Sequence, residues 1–131
     1  MTARKNSKDL MKKIEYEFKN KKYLEEALTH RSYSNEAEKT RRFNNEKLEF
    51  LGDAILNLIT TEYIYDLYGK KTEGELAKLK SQIISEPVFS TIASDIKLGE
   101  YLYLSNGEIM SGGRNRRSIL GDAFEALIGA I

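Results

Sequence analysis

The chain has 131 residues and no cysteine, a length typical of one domain and a composition that excludes disulfides and thiolate metal sites. Lysine and arginine exceed the acids by only one in total, but basic residues prevail by five over residues 1–42 and acids by five over residues 43–109. No apolar run approaches a membrane span, so we expect a cytoplasmic protein without a membrane partner.

The first half of the chain is predicted to form three helices. Ser7 is the predicted N-cap of the first helix. The apolar face of that helix consists of Leu10, Met11, Ile14 and Phe18. A shorter helix follows over residues 23–28, and the polar stretch 33–43 is predicted to be a loop. The central helix runs from about Asn45 to Tyr68.

The second half is predicted to contribute three further helices. Thr72 and Glu75 form the pattern of a capping box at the start of the first of them. Pro87 suits the first turn of the next helix. The Gly-rich stretch 104–115 is predicted to be a loop, and the last helix runs from Arg116 to the end of the chain. Because no strand-like alternation persists, the fold class is predicted to be an all-α bundle.

The central helix separates its acids from its main apolar arc. A helical wheel places that arc at Leu48, Leu51, Ala54, Ile55, Leu58 and Ile59, which predicts the buried side. Glu46, Glu49 and Asp53 lie together on another side, and Phe50 also lies outside the arc.

The last helix has a matching acidic face. Asp122 and Glu125 are three residues apart and therefore neighbours. Gly121 and Gly129 lie on the same side. Because glycine weakens a helix, this pair predicts that another backbone approaches closely, and the acidic face of the central helix is the candidate.

If the two faces meet, four carboxylates converge, and burying them together without a counter-charge is costly. The four are Glu49, Asp53, Asp122 and Glu125. A divalent cation removes the repulsion, and oxygen ligands alone suit Mg²⁺ or Mn²⁺, whereas zinc is disfavoured. The alternative is an ordinary solvated acidic stripe. The scarcity of basic residues at helical spacing argues against it.

Three segments resemble the ribonuclease III family, in the family's order and spacing: "NEKLEFLGDAIL", "EGELAKLKSQIIS" and "SGGRNRRSILGDAFEALIGAI". The resemblance covers roughly residues 10–131. It implies a ribonuclease III endonuclease-domain-like helical bundle and a homodimeric, metal-dependent endonuclease for double-stranded RNA. The implied products carry 5′-phosphate and 3′-hydroxyl ends, and the implied role is RNA processing such as ribosomal RNA precursor maturation.

The resemblance also assigns roles by position. Glu49, Asp53, Asp122 and Glu125 would hold Mg²⁺, for which Mn²⁺ could substitute, and Asp53 and Glu125 would be the catalytic pair. Glu46 and Glu73 match two supporting acids. The implied reaction is hydrolysis by a metal-activated water, with either one or two ions at each site.

Basic residues are expected to contact RNA phosphates. The uneven charge distribution along the chain is compatible with a polyanionic partner such as RNA, and equally with an ordinary solvated surface. The expected contacts are Arg114, Arg116 and Arg117 and, by family analogy alone, His30, Arg31 and Lys71. His30 is expected to be structural rather than a catalytic base. Phe50 would fill a socket on the partner subunit, or else pack under the 33–43 loop.

Two other functions stay open at this point. One is a dimeric module that binds double-stranded RNA without cutting, which the intact carboxylates disfavour. The other is a di-iron helical bundle. That class requires Glu-x-x-His pairs, which a chain with His30 as its sole histidine does not contain. Full-length bacterial family members continue into an RNA-binding domain. We therefore expect residues 1–131 to be a nuclease domain truncated within its last helix, which binds RNA weakly.

Overall fold

The computed structural model describes residues 3–37 and 43–131. In these residues the α-helices are α1 Ser7–Ile14, α2 Lys21–Ala27, α3 Arg31–Ala37, α4 Glu46–Leu67, α5 Glu73–Ile83, α6 Glu86–Asp95, α7 Asn106–Met110 and α8 Arg117–Ala130. Short 3-10 helices cover Leu98–Tyr101 and Gly113–Asn115. The described part of the chain forms no strand, only an isolated parallel bridge between Thr29 and Tyr103. The all-α prediction is confirmed.

Helix α8 lies at the centre of the fold, where it packs against α4, α6 and α2. The main core gathers apolar side chains from several helices and from the segment before α7. It includes Leu10, Leu24, Leu28, Ala93, Leu98, Leu102, Ile119, Ala123 and Leu127. Helix α4 reaches a second, smaller cluster through Leu48, beside Ala27 and Ala126. None of the helices in the described residues combines the length and apolar character needed to cross a bilayer.

Local capping signals produce several of the predicted boundaries. The Thr72 hydroxyl accepts the Glu75 N–H at 3.2 Å, and the Glu75 carboxylate accepts the Thr72 N–H at 3.3 Å. This capping box begins α5 as predicted. Pro87 occupies the first turn of α6, and α4 and α8 run over the ranges expected for the central and last helices.

The prediction for the first helix is wrong at both ends. Asn6, not Ser7, is the N-cap, because the Asn6 side chain accepts the Lys8 N–H at 2.9 Å. Ser7 instead donates its hydroxyl to Glu25. The helix ends at Ile14, since Glu15 has a left-handed backbone with φ of 55°. Phe18 is buried but lies outside the helix.

Both predicted loops contain helical turns. Helix α3 occupies residues 31–37, and positions 38–42 of the predicted 33–43 loop lie outside the described residues. Helix α7 and the second 3-10 helix lie within 104–115. The Ser105 side chain accepts the Glu108 N–H at 3.2 Å and is the N-cap of α7. This cap stabilises a short helix whose polar, Gly-rich sequence has little helix propensity of its own.

The predicted buried arc of α4 is also wrong. Leu51 is 49% exposed, Leu58 68% and Ile59 57%, whereas Leu48 and Gly52 are buried. Helix α4 therefore contacts α8 along the Gly52 side and leaves much of the arc uncovered. Phe50 is 71% exposed, and residues 38–42 of the loop that was its alternative neighbour lie outside the described residues.

Candidate active site

Two glycines set the contact between α4 and α8. A Cβ atom on Gly52 would lie 1.7 Å from the backbone oxygen of Glu125, and one on Gly129 would lie 2.2 Å from that of Leu48. Only glycine fits at either position. The close approach predicted for Gly129 is confirmed. Gly121 instead faces α6, where its nearest neighbour atom belongs to Glu86, so the prediction for Gly121 is wrong.

This close contact gathers the acidic side chains of the two helices. Carboxylate oxygens of Glu49, Asp122 and Glu125 all lie within 4.8 Å of one another, and all three residues are half-buried. Asp53 is exposed beside them and shares a hydrogen bond with Glu125. The structure thus brings together three of the four carboxylates expected to converge, and it places the fourth, Asp53, next to Glu125.

Burial and mutual repulsion raise the pKa values of Glu49, Asp122 and Glu125. The pKa of Glu125 is raised to about 8, first by burial and then by the hydrogen bond and charge of Asp53. The pKa of Glu49 is raised to about 7, first by burial and then by the charge of Asp122. Burial is also the main reason that the pKa of Asp122 is raised. A bound divalent cation would offset this repulsion and favour the ionised carboxylates, whose oxygens are its preferred ligands.

A cavity of about 440 Å³ opens beside Glu49 and Asp122. Its other lining residues are His30, Arg31, Asn45, Glu46, Glu108, Arg116, Ser118 and Ile119. Glu46, expected as a supporting acid, is one of the residues that line it. The cavity is lined by both acidic and basic side chains. A phosphate group could reach both.

Glu108 also lines the cavity, and no pattern in the sequence predicted it there. It lies in α7, within the stretch predicted as a loop, and forms an ion pair with Arg116. Arg116 also donates to Ser111, with 3.3 Å between its Nη2 and the Ser111 carbonyl oxygen. The only sequence feature that indicated Glu108 was its position shortly before "SGGRNRR". Helical periodicity could not assign it to a face, because α7 is only five residues long.

Two expected residues lie elsewhere. Glu73 is exposed in the first turn of α5 and is not among the residues that line the cavity. Lys71 pairs with Glu75, with 3.7 Å between Nζ and Oε2, and its ammonium group lies 5.6 Å from the centre of the Tyr68 ring. Within one copy of the described chain, neither side chain is brought to the acidic cluster.

The three arginines of "SGGRNRR" differ in their surroundings. Arg114 is half-buried and donates from Nη1 to the carbonyl oxygens of Gly99 at 2.9 Å and Leu102 at 2.7 Å. Burial lowers its pKa. Its guanidinium group therefore holds the 3-10 helix Leu98–Tyr101 in place, and the RNA contact expected of it stays a prediction. Arg116 and Arg117 are exposed, and Arg116 lines the cavity.

His30 caps α3 with its ring. Its Nδ1 accepts the backbone N–H of Ser32 at 3.1 Å, so the proton of the neutral ring lies on Nε2. Burial lowers the pKa of His30, which favours this neutral form. The ring can therefore donate one hydrogen bond at the cavity wall while it holds the N-terminus of α3. This agrees with the structural role expected of it.

Comparisons with known proteins agree with the fold. A family model described as ribonuclease-III-like matches residues 20–131. The chain is similar to Ribonuclease 3 of Fusobacterium nucleatum subsp. nucleatum, with 50% identity over 127 residues, which is 97% of this chain and 54% of that protein. It is also similar to Ribonuclease 3 of Clostridium tetani, with 52% identity over 95% of this chain and 52% of that protein. The chain thus spans about half the length of these curated relatives.

A solved structure of similar fold is the nuclease domain of ribonuclease III from Campylobacter jejuni. It superposes with a TM-score of 0.89 at 43% sequence identity, over 96% of this chain and 84% of that one. That structure is described as flexible in a region involved in dimer formation. A second structure of the same domain, at 2.2 Å resolution, gives a TM-score of 0.87 at 43% identity, over 97% of this chain and 82% of the other.

Proposed function

The chain belongs to the ribonuclease III family, and on this premise we propose that it is a metal-dependent endoribonuclease that hydrolyses phosphodiester bonds in double-stranded RNA. The observation that carries the proposal is the meeting of Glu49, Asp122 and Glu125 within 4.8 Å. We further propose products with 5′-phosphate and 3′-hydroxyl ends, a role in RNA processing such as ribosomal RNA precursor maturation, and a cytoplasmic location.

The carboxylates fit a divalent ion because they supply oxygen ligands and because their mutual repulsion, seen in the raised pKa values, calls for a positive charge. Glu49, Asp53, Asp122 and Glu125 would hold Mg²⁺, or Mn²⁺ in its place. When bound, the ion would polarise the scissile phosphate and lower the pKa of a water ligand. Asp53 and Glu125 would be the catalytic pair, as the family resemblance implies, since a carboxylate can accept the proton of an attacking water. Glu46, at the cavity wall, would support the charge balance.

Basic groups on the cavity walls would hold the RNA. Arg31 and Arg116 can contact phosphates there, and Arg117 is exposed at the start of α8. The Nε2–H of His30 can donate to a phosphate or a 2′-hydroxyl oxygen, which would help to distinguish RNA from DNA. Lys71 and Glu73 keep their roles as predictions from the family resemblance. The RNA contact of Arg114 likewise stays a prediction, since its guanidinium group is bound to backbone carbonyls.

A homodimer would cover the exposed apolar face of α4. Phe50, Leu51, Leu58 and Tyr65 lie on one side of this helix, and all four are exposed. Exposed apolar patches of this kind mark interaction surfaces. A second copy of the chain is the proposed occupant, with Phe50 as the anchor. Two copies would supply two acidic cavities, one for each strand of a duplex.

Replacing Glu125 by glutamine tests the proposal, since the change removes one charge at nearly constant volume. Labelled duplex RNA is incubated with Mg²⁺ and, separately, with chelator, and duplex affinity is measured alongside. We expect Glu125→Gln to abolish cleavage with little change in affinity, because phosphate contacts come from other residues. Mg²⁺ should raise the melting temperature of the wild type more than that of the variant.

Glu17→Gln is the matched control, because Glu17 is an exposed acid that is neither in α4 nor among the residues that line the cavity. It should cut at the wild-type rate. If Glu125→Gln cuts as fast as the wild type, the assigned chemistry is wrong. If the wild type binds the duplex but leaves it intact in Mg²⁺, the non-cleaving binding module replaces the proposed enzyme.

A further inference from the structure

A polar cluster on the far side of the His30 segment has no part in the proposed function. It consists of Arg4, Ser7, Glu25 and Tyr103, and we call it the N-terminal cluster. The Tyr103 hydroxyl donates to Oε2 of Glu25 at 2.6 Å, and the Ser7 hydroxyl donates to Oε1 at 2.9 Å. Arg4 donates to the Ser7 hydroxyl oxygen at 2.6 Å, and its Cζ lies 3.7 Å from the centre of the Tyr103 ring.

These contacts hold the Tyr103 side chain firmly. A hydrogen bond to a carboxylate is about twice as strong as one between neutral groups, and a guanidinium over an aromatic face adds to it. Burial, followed by the hydrogen bond to Glu25, raises the pKa of Tyr103 to about 12. The hydroxyl therefore keeps its proton at neutral pH and remains a donor to Glu25.

The backbone of Tyr103 holds one wall of the acidic cavity. Its N–H donates to the Leu28 carbonyl at 2.8 Å, and its carbonyl accepts the His30 N–H at 3.0 Å. Two residues later, the Ser105 N–H donates to the Ser32 hydroxyl oxygen at 3.0 Å. His30 and Arg31 line the cavity between these attachments. The position of that wall thus depends on where the Tyr103 segment lies.

We propose that Tyr103 is a positioning residue, which uses its bond to Glu25 to hold His30 and Arg31 where they face the RNA. This inference rests on the proposed function. His30 and Arg31 are not members of the carboxylate set, so a displaced wall would weaken RNA recognition and leave the chemical step intact. The N-terminal segment then also helps to position the site, because the Arg4 side chain packs on the Tyr103 ring.

Tyr103→Phe is the direct test, because it keeps the ring under Arg4 and removes only the hydroxyl. We expect KM for duplex RNA to rise about tenfold, the order expected for loss of one charge-assisted hydrogen bond, with kcat unchanged. A variant that was merely less stable would contain less active enzyme, so kcat would fall at constant KM. Tyr23→Phe is the matched control, since Tyr23 is exposed and its hydroxyl has no hydrogen-bond partner among the described residues.

A double-mutant cycle sharpens the test. Glu25→Gln should also raise KM, and the double variant should be little worse than the worse single variant, because both changes break the same bond. Duplex affinity in Ca²⁺ provides a measurement that does not need cleavage, and Tyr103→Phe should weaken it by the same factor. Unchanged KM and affinity, or a fall in kcat alone, would overturn the inference. A wild type that binds but does not cut would refute only the enzyme proposal.

Discussion

Replacing Gly52 by alanine should disrupt the contact on which the candidate site depends. The added Cβ would lie 1.7 Å from the Glu125 backbone oxygen, and such contacts need at least about 3 Å, so α4 and α8 must move apart by more than an ångström. A backbone oxygen cannot rotate away as a side chain can. Overpacking of this kind costs about 3 kcal/mol, which corresponds to a fall in melting temperature of about 10 °C. The same movement would carry Glu125 away from Glu49.

Urea unfolding of the metal-free protein measures this loss directly. Gly74→Ala is the matched control, since no atom lies within 4 Å of its added Cβ, and alanine in α5 should stabilise the protein by up to about 1 kcal/mol. We expect the two substitutions to have opposite signs. A free energy of unfolding for Gly52→Ala within about 0.5 kcal/mol of the wild type would refute the reasoning that glycine is required there.

Two further predictions concern association and pH. Phe50→Ala should shift the proposed dimer toward monomers without lowering the stability of the monomer fold, because the ring is exposed in a single copy. Sedimentation at several concentrations checks this. An unchanged dimer or an unfolded monomer would contradict it. In chelator, the free energy of unfolding should fall as the pH rises from about 5 to about 8. In the folded state the pKa of Glu49 is raised to about 7 and that of Glu125 to about 8. Over this pH range the folded state therefore binds protons that the unfolded chain has released, and the stability they confer is lost as the pH rises. Urea midpoints should show a smaller fall for Glu125→Gln, and a wild-type midpoint that rises over this range would contradict the assignment.

Features that depend on near neighbours in the chain were predictable from the sequence. The capping box of Thr72 and Glu75 satisfies backbone groups within one turn, so it begins α5 whatever packs beside it. The helical spacing that puts Glu49 beside Asp53, and Asp122 beside Glu125, is likewise a property of each helix alone. Glycine on an acidic face indicated a close approach, and Gly129 makes it. The family resemblance added roles that no local pattern contains.

Only the tertiary structure decided which surfaces meet. Helix α4 is apolar around much of its circumference, so its pattern does not determine which side is buried. The predicted arc at Leu58 is exposed, because the backbone of α8 fits closely only where Gly52 has no side chain. Glu108 joins the cavity through the short helix α7, and Arg114 turns inward to carbonyl oxygens distant from it in sequence. These placements depend on contacts between separate segments, and neither helical periodicity nor a capping pattern within one segment encodes them.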